Sequence, residues 1–278
     1  MNAAVLLDKE AAKLYLLYLL KQLNEISEKY GIPVYASGGT CLGMVRHRGM
    51  IPWDDDIDIM IFRRDLDRFV AACQETLQFP VVLRTRENDP YFYQEFVKLC
   101  YMDDDGNYSD LSIDVFELDE TDPNRRTFRA VQNSIKRLLY YTKLYKVSKL
   151  GHGDYRPNAV WQRALLTACG ILPLKSIDRL LFKTLTAEKA SCDYVVNWGA
   201  AYSYKKATYP KAAFGTPRKM PFENTYVWAE QHPEMILERL YGKNYMQLPP
   251  VEKRTDHGVR AFQCSAIDLD TIRRELGL

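Results

Sequence analysis

The sequence lacks several features that would assign it to a specialised class of protein. Its six cysteines form no C-x-x-C pair and its four histidines form no cluster. Zinc and redox spacings are therefore absent, and the length argues against a disulfide-rich secreted domain. The apolar run at residues 14–20 is far shorter than the roughly 20 residues that a membrane-spanning helix needs. No basic start precedes it, so we predict no signal peptide, no transmembrane helix and reduced thiols in a cytoplasmic protein.

A long stretch without acidic residues divides the chain. From Arg125 to Gly153 there is no aspartate or glutamate, whereas Lys and Arg recur throughout. Apolar side chains three to four residues apart predict a basic amphipathic helix here, with Phe128, Val131, Ile135, Leu138 and Thr142 on one face. Residues 1–122 mix strand and helix patterns. We therefore predict an α/β core over 1–122 and a mostly helical region over 123–278.

The first region alternates helices and short strands. Apolar spacing predicts a helix over 8–30, ended by Gly31. A strand in "IPVYA" leads to a glycine pair and a second helix, for which Thr40 is the expected N-cap. Further patterns predict a strand over 56–61, a helix over 63–77 and a hairpin that turns at Asp105-Gly106.

The most unusual segment is "GMIPWDDDIDIMI", residues 49–61, where acidic residues lead directly into an apolar strand. Side chains alternate along a strand, so Asp56 and Asp58 share one face while the isoleucines face the core. Two neighbouring carboxylates repel each other unless a positive charge lies between them. Because hard oxygen ligands suit Mg²⁺ or Mn²⁺, the spacing predicts a divalent metal site.

The predicted hairpin offers a third carboxylate. In "DLSIDVFEL", Leu111, Ile113 and Val115 share the apolar face, and Asp114 lies on the other. If the two strands are neighbours in one sheet, Asp114 joins Asp56 and Asp58. Three carboxylates can hold two ions that clamp the attacking and leaving oxygens of a phosphoryl transfer.

The glycine pair in "YASGGT" fits the same chemistry. Gly38 and Gly39 lie between a strand and a helix, where backbone amides can hold a phosphate group. The helix ends in Arg46, His47 and Arg48, which carry groups that suit anionic oxygens.

Each of these patterns also has an ordinary structural explanation. The aspartates suit a solvated acidic turn, and the glycine pair suits a tight turn. The run at 103–110 resembles a calcium loop, but Tyr101 and Ser112 occupy positions where an EF-hand needs acids, so we predict a simple turn. Cys41 is expected to be a packed thiol, and His47 a structural or phosphate contact. The basic helix is most often a solvated face.

The segment "GGTCLGMVRHRGMIPWDDDIDI" closely resembles the signature of the LicD family, which includes the fukutin-like proteins. "IDVFELD" at 113–119 is similar to a second family motif, with Glu117 where proline is usual. "PFEN" at 221–224 and "YGKNYMQLPPVEKRTDH" at 241–257 resemble the C-terminal signature. The stretch after "PFEN" departs from the family pattern, which puts the identity of the donor in doubt.

The resemblance implies a nucleotidyltransferase core like that of polymerase β, with a small mixed sheet. Family members transfer a phosphorylated alcohol, often phosphocholine, from a CDP-linked donor to a glycan. Asp56, Asp58 and Asp114 would then bind the metal and carry catalysis, and Asp114 is the candidate to activate the acceptor hydroxyl. The residues expected to bind donor phosphates are Gly38, Gly39, Thr40, Arg46, Arg48 and Lys98.

The resemblance also implies partners. We expect CDP-choline or another CDP-alcohol as donor, a glycan or lipid-linked glycan as acceptor, and no nucleic acid. Trp53, Tyr91, Phe92 and Tyr93 are available to enclose a choline group. A basic helix beside an apolar stretch suits peripheral contact with the anionic inner face of the cell membrane. A nucleotidyltransferase that uses a nucleoside triphosphate, and a non-catalytic nucleotide- or glycan-binding module, stay open as alternatives.

Overall fold

The computed structural model describes residues 5–188, 190–254, 260–262 and 266–278. Cys264 and residues 255–257, the end of the C-terminal signature, lie outside the described residues. The strands are β1 (Val5–Leu7), β2 (Val34–Ala36), β3 (Ile57–Phe62), β4 (Val81–Arg84), β5 (Val97–Met102), β6 (Tyr108–Thr121), β7 (Tyr194–Asn197), β8 (Thr208–Pro210), β9 (Arg218–Phe222), β10 (Thr225–Ala229) and β11 (Arg260–Phe262). The helices are α1 (Lys9–Tyr30), α2 (Gly38–His47), α3 (Arg63–Thr76), α4 (Arg126–Lys149), α5 (Val160–Cys169), α6 (Leu174–Leu185), α7 (Pro233–Tyr241) and α8 (Leu269–Leu276).

One mixed sheet organises the molecule, with strands in the order β2-β3-β6-β5-β4. β3 and β6 run parallel, whereas β2, β5 and β4 pair with their neighbours in antiparallel fashion. The C-terminal end of β6 also pairs with β7, which in turn pairs with β8. The α/β fold class predicted from the sequence is confirmed.

Both faces of the central strands are buried. Ile57, Ile59 and Ile61 are fully buried in a core that includes the apolar face of α1, as their alternation predicted. Met60 and Phe62 point the other way, into a second apolar cluster with residues of β6 and α7. β3 is therefore covered on both sides along most of its length. On the face that carries Met60 and Phe62, the polar residue is Asp58, near the start of the strand.

The helix predicted over residues 8–30 is present as α1. α1 begins after Asp8, whose carboxylate accepts a hydrogen bond from the Ala11 amide at 2.8 Å, and ends at Gly31 with a φ of 60°. This left-handed conformation is one that glycine adopts without a steric penalty. The helix buries Leu16, Leu19 and Leu23.

The prediction for the basic helix was correct in extent and wrong in orientation. α4 forms, but Val131 and Ile135, predicted to lie on its buried face, are 53% and 44% exposed. Instead Arg129 and Lys143 are buried. Arg129 Nη2 lies 2.6 Å from Glu188, and Lys143 Nζ lies 2.6 Å from Asp178 of α6. The periodicity of α4 gives no indication of these acidic partners, which lie about 35 to 60 residues further along the chain.

The region after residue 122 contributes strands as well as helices. β7 and β8 extend the sheet of the first region, and the β9–β10 hairpin packs Phe222, Val227 and Ala229 into the first core. The division at 122 stays a prediction. Within the described ranges no helix combines the length and apolarity needed to span a bilayer.

Candidate active site

Pairing of β3 with β6 brings two predicted carboxylates side by side. Asp58 and Asp114 are direct partners in the parallel register, and Lys98 of β5 is the partner of Asp114 on its other side. The condition set from the sequence, that the two strands be neighbours, is therefore met. Asp56, predicted to begin the strand, lies just before β3, one residue outside the observed strand.

Asp114 is held in place from within the sheet. Its Oδ1 lies 2.8 Å from Lys98 Nζ and accepts a hydrogen bond from Ser112 Oγ at 3.2 Å. Lys98 Nζ also donates to Ser112 Oγ at 3.2 Å. A cation and a hydroxyl group thus fix the orientation of this carboxylate.

The glycine pair allows carboxylates to approach the backbone of α2. A Cβ atom added at Gly38 would lie 3.3 Å from Asp58 Oδ2, and one added at Gly39 would lie 2.4 Å from Asp54 Oδ2. Gly38 also has a positive φ of 47°. Position 38 therefore needs glycine for its backbone conformation, and position 39 needs it for the close approach of Asp54.

Thr40 is not the N-cap residue of α2, contrary to the prediction. α2 begins at Gly38, so Ser37 is the N-cap residue, although its side chain caps no amide in the described chain. The Thr40 hydroxyl instead accepts a hydrogen bond from the Asp58 amide at 2.8 Å. Thr40 thus ties the start of β3 to α2, and sequence spacing alone does not distinguish this role from capping.

The carboxylates crowd one another. Ligand oxygens of Asp54, Asp55 and Asp56 lie within 4.8 Å of one another. Burial, with added repulsion from Asp56 and Asp55, raises the pKa of Asp54 to about 7. Burial, with repulsion from Asp56, Asp114 and Asp54, raises the pKa of Asp58 well above its ordinary value, and Lys98 offsets this only in part.

This arrangement fits a divalent cation. The group offers only hard oxygen ligands, and the raised pKa values show negative charge that the neighbouring cation does not balance. A simple solvated acidic turn would leave Asp58 exposed, whereas it is half-buried. Asp56 belongs to both the observed cluster and the predicted trio, while Asp114 is held by Lys98.

A pocket of about 450 Å³ opens beside these aspartates, and we call it the aspartate pocket. Its lining residues include Gly39, Arg46, Trp53, Asp54, Asp56, Asp58, Tyr202, Tyr241, Tyr245 and Gln247. The Arg46 guanidinium donates to the carbonyl oxygens of Tyr245 and Gln247 at 3.0 and 3.3 Å, which places it at the wall. Arg48 is exposed and lines another pocket, with Arg218 and Glu234.

Aromatic residues of this pocket were mostly missed by sequence reasoning. Tyr202 and Tyr241 line it, with their hydroxyl oxygens 3.1 Å apart, and Trp53 stacks beneath the Arg254 guanidinium at 4.8 Å. Tyr241 and Tyr245 fall in the quoted C-terminal signature, which could have indicated them. Tyr202 has no comparable motif.

Three of the four predicted choline-binding rings lie elsewhere. Phe92 is buried against Phe96, Tyr93 contacts Tyr140, and Tyr91 stacks on His152 with ring centroids 3.7 Å apart. They were nominated only by aromatic character. The partners of Tyr93 and Tyr91 lie on α4 and in the loop that follows it, far away in the sequence.

Cys41 and His47, two side chains that could react, are packed against other residues of the protein. Cys41 is fully buried, and burial together with Glu230 raises the pKa of its thiol, which disfavours a thiolate. Burial and the Arg46 charge lower the pKa of His47, whose ring meets Trp53 edge-on at 6.0 Å.

Asp103 accepts hydrogen bonds from the Asp105 and Asn107 amides, so the run at 103–110 forms the predicted turn.

Comparison with known proteins defines the class of domain and then the family. Residues 31–144 match the family model "LicD/FKTN/FKRP, nucleotidyltransferase domain". Residues 31–144 thus resemble a nucleotidyltransferase domain, and the comparisons support membership of the LicD family, as the signature predicted. These comparisons support a transferase.

Curated relatives agree with this placement. The chain is 26% identical over 264 residues to "Lipopolysaccharide cholinephosphotransferase LicD" of Haemophilus influenzae, which covers 89% of this chain and 95% of the relative. It is also 45% identical over 58 residues to an uncharacterised protein of Rickettsia typhi, a match that covers 21% of this chain and 18% of the relative.

Proposed function

We propose that the protein is a metal-dependent phosphotransferase. It moves phosphocholine, or a related phospho-alcohol, from a CDP-linked donor to a hydroxyl group of a cell-surface glycan or its lipid-linked precursor, and releases CMP. The observation that carries this proposal is the pairing of Asp58 with Asp114 beside the Gly38–Gly39 turn. The name of the Haemophilus relative supports phosphocholine as the transferred group.

The crowded carboxylates support the predicted cofactor. Asp56, Asp58 and Asp114 would hold Mg²⁺ or Mn²⁺, which supplies positive charge to the oxygens of the donor diphosphate. Asp54, whose oxygens lie close to those of Asp56, is a further candidate ligand.

The chain itself supplies the remaining contacts to the donor. The amide groups of Gly38 and Gly39 lie at the start of α2, where the helix dipole favours phosphate oxygens. Arg46, fixed by two carbonyl oxygens, presents positive charge at the pocket wall. Trp53, Tyr202 and Tyr241 offer ring surface to a quaternary ammonium group.

Asp114 is suited to take the proton from the acceptor hydroxyl. Lys98 and Ser112 fix its carboxylate, so one oxygen is oriented and the other is available for a proton. The acceptor oxygen then bonds to the phosphorus of the phospho-alcohol, and the bond from that phosphorus to CMP breaks. Lys98 balances charge beside the reacting atoms.

A binding panel tests the donor. Thermal stability would be measured with Mg²⁺ and CDP-choline, CDP-ethanolamine, CDP-glycerol, CDP-ribitol, CTP or ATP, alongside CMP release. We expect a CDP-alcohol to stabilise the protein only when metal is present, by about 2.7 kcal/mol at a hundredfold excess over Kd. Stabilisation by triphosphates alone would favour the nucleotidyltransferase, and no response to any nucleotide would contradict the proposal.

The second part of the proposal is peripheral contact with an anionic membrane. Around α5, Val160, Trp161 and Ile171 are 81%, 67% and 83% exposed. The cations Arg156, Arg163, Lys175, Arg179 and Lys183, which lie near them in the chain, are exposed as well. We call this set the α5 surface; most cations of α4, by contrast, are engaged within the protein, among them Lys143 and Lys146. Exposed apolar side chains together with exposed cations in the same segment suit an anionic lipid surface.

Vesicle binding tests the α5 surface. Trp161→Asp combined with Ile171→Asp should weaken binding to phosphatidylglycerol vesicles by roughly tenfold or more, because two apolar side chains lose their insertion energy. Leu278→Asp, at a terminal residue that is 62% exposed, is the matched control and should bind like the parent. Equal binding of the double variant, measured by vesicle co-sedimentation, would exclude this surface as the contact.

A further inference from the structure

A second pocket, of about 540 Å³, adjoins the aspartate pocket. It lies between α4 and the segment 199–204, and we call it the α4 pocket. Its lining residues include Gln94, Glu95, Asn133, Lys136, Arg137, Tyr140, Tyr141 and Ser203. Tyr202 lines both pockets, so the two share a wall.

Glu95 gives the α4 pocket an unusual polar wall. This residue is only 3% exposed, yet it is a carboxylate rather than an apolar side chain. Its Oε2 lies 2.8 Å from Lys136 Nζ, and Lys136 also donates to the Trp198 carbonyl. Its Oε1 has no hydrogen-bond partner among the residues that the structure describes.

An unpartnered buried carboxylate oxygen is unfavourable unless a donor reaches it. Lys136 fixes the orientation of Glu95, so Oε1, which is enclosed by protein atoms, is a preorganised acceptor for a donor that reaches it when a bound ligand displaces the covering side chains. Asn133 and Arg137 add further donors, and the rings of Tyr140 and Tyr141 add flat surface. A ligand with several hydroxyl groups and an apolar ring face matches this combination.

We propose that the α4 pocket is the subsite for the acceptor saccharide, an inference that rests on the proposed function. One sugar hydroxyl donates to Glu95, and others contact Asn133 and Arg137. The saccharide extends past Tyr202 into the aspartate pocket, where another hydroxyl group loses its proton to Asp114 and forms the bond to phosphorus. CMP leaves with the electrons of the broken phosphorus–oxygen bond.

Two variants test the subsite without touching the aspartates. Glu95→Gln removes the charged acceptor, and Ala201→Trp fills the pocket from an exposed position on its rim. We expect each to weaken saccharide binding roughly tenfold, the value of a lost hydrogen bond to a charged group. Glu188→Gln, which alters a carboxylate paired with Arg129 instead of Lys136, is the control for folding.

Binding of free galactose, glucose and N-acetylglucosamine would be followed by saturation-transfer NMR, and binding of CDP-choline with Mg²⁺ by calorimetry. The proposal predicts a weaker saccharide signal in both variants and unchanged donor affinity. Wild-type protein that binds none of these sugars, or variants that bind them equally well, would overturn it. Failure of the proposed function would be distinguishable from failure of the subsite, because in that case the wild-type protein would bind no CDP-alcohol.

Discussion

Replacement of Asp58 by asparagine is expected to abolish transfer while stabilising the metal-free protein. Burial and the neighbouring carboxylates hold the pKa of Asp58 far above its ordinary value. The folded state therefore favours the protonated form, and stability falls as the pH rises from the ordinary carboxyl pKa towards the folded one. Asparagine cannot ionise, so this loss at neutral pH disappears. Without a ligand for the cation, activity should fall by about 10³-fold, corresponding to ~4 kcal/mol of transition-state stabilisation.

These opposite effects distinguish a metal ligand from a structural residue. Melting temperatures would be measured with and without Mg²⁺, and CMP release would report activity. Asp67→Asn, on the exposed side of α3, should match the parent in both. If Asp58→Asn kept its Mg²⁺-dependent stabilisation and its activity, the assignment of Asp58 as a ligand would be wrong.

Replacement of Arg63 by methionine should destabilise the fold strongly. Arg63 starts α3, directly after β3, and its Nη2 lies 3.0 Å from Glu117 Oε2 and 2.9 Å from Asp119 Oδ2 on β6. Both acidic side chains are buried. The variant would leave two buried carboxylates without a cation, which costs about 3–5 kcal/mol. We expect a loss of that size in denaturant unfolding at neutral pH.

Two comparisons make this result interpretable. Arg64→Met changes an exposed neighbour on the same helix and should alter stability little. Adding Glu117→Gln and Asp119→Asn to Arg63→Met should recover much of the lost stability, because the uncompensated charges are removed. If Arg63→Met unfolded like the parent, the ion pairs would not stabilise the packing of α3 on β6.

The Arg63 cluster also explains a departure from the family pattern. Glu117 stands where the LicD family usually has proline, and the sequence offers no reason for the change. In the structure Glu117 pairs with Arg63, 54 residues earlier in the chain. This contact joins the start of α3, directly after the strand that carries Asp58, to the strand that carries Asp114, and thus helps to hold the two strands in register.

Much of the candidate site was predictable because its residues lie in short motifs. The alternation in "DIDIMI" and "SIDVF" predicted which side chains face the core. The glycine pair was predicted to hold a phosphate group, which stays a prediction; in the structure the carboxylates of Asp58 and Asp54 lie close to it. The position of Arg48 was not predictable. It follows the last turn of α2 in a left-handed conformation and lines a different pocket from Arg46.

By itself the sequence determined the α/β class, the resemblance to the LicD family and the strand faces, because these depend on the spacing of residues that lie close together in the chain. Only the tertiary structure decided that β3 and β6 are neighbours, that Arg129 and Lys143 are buried, and that Tyr202 joins two pockets. Each of these depends on partners tens of residues apart in the chain. Local periodicity carries no information about such partners, since burial of a charge is favourable only when its counterpart arrives from elsewhere in the fold.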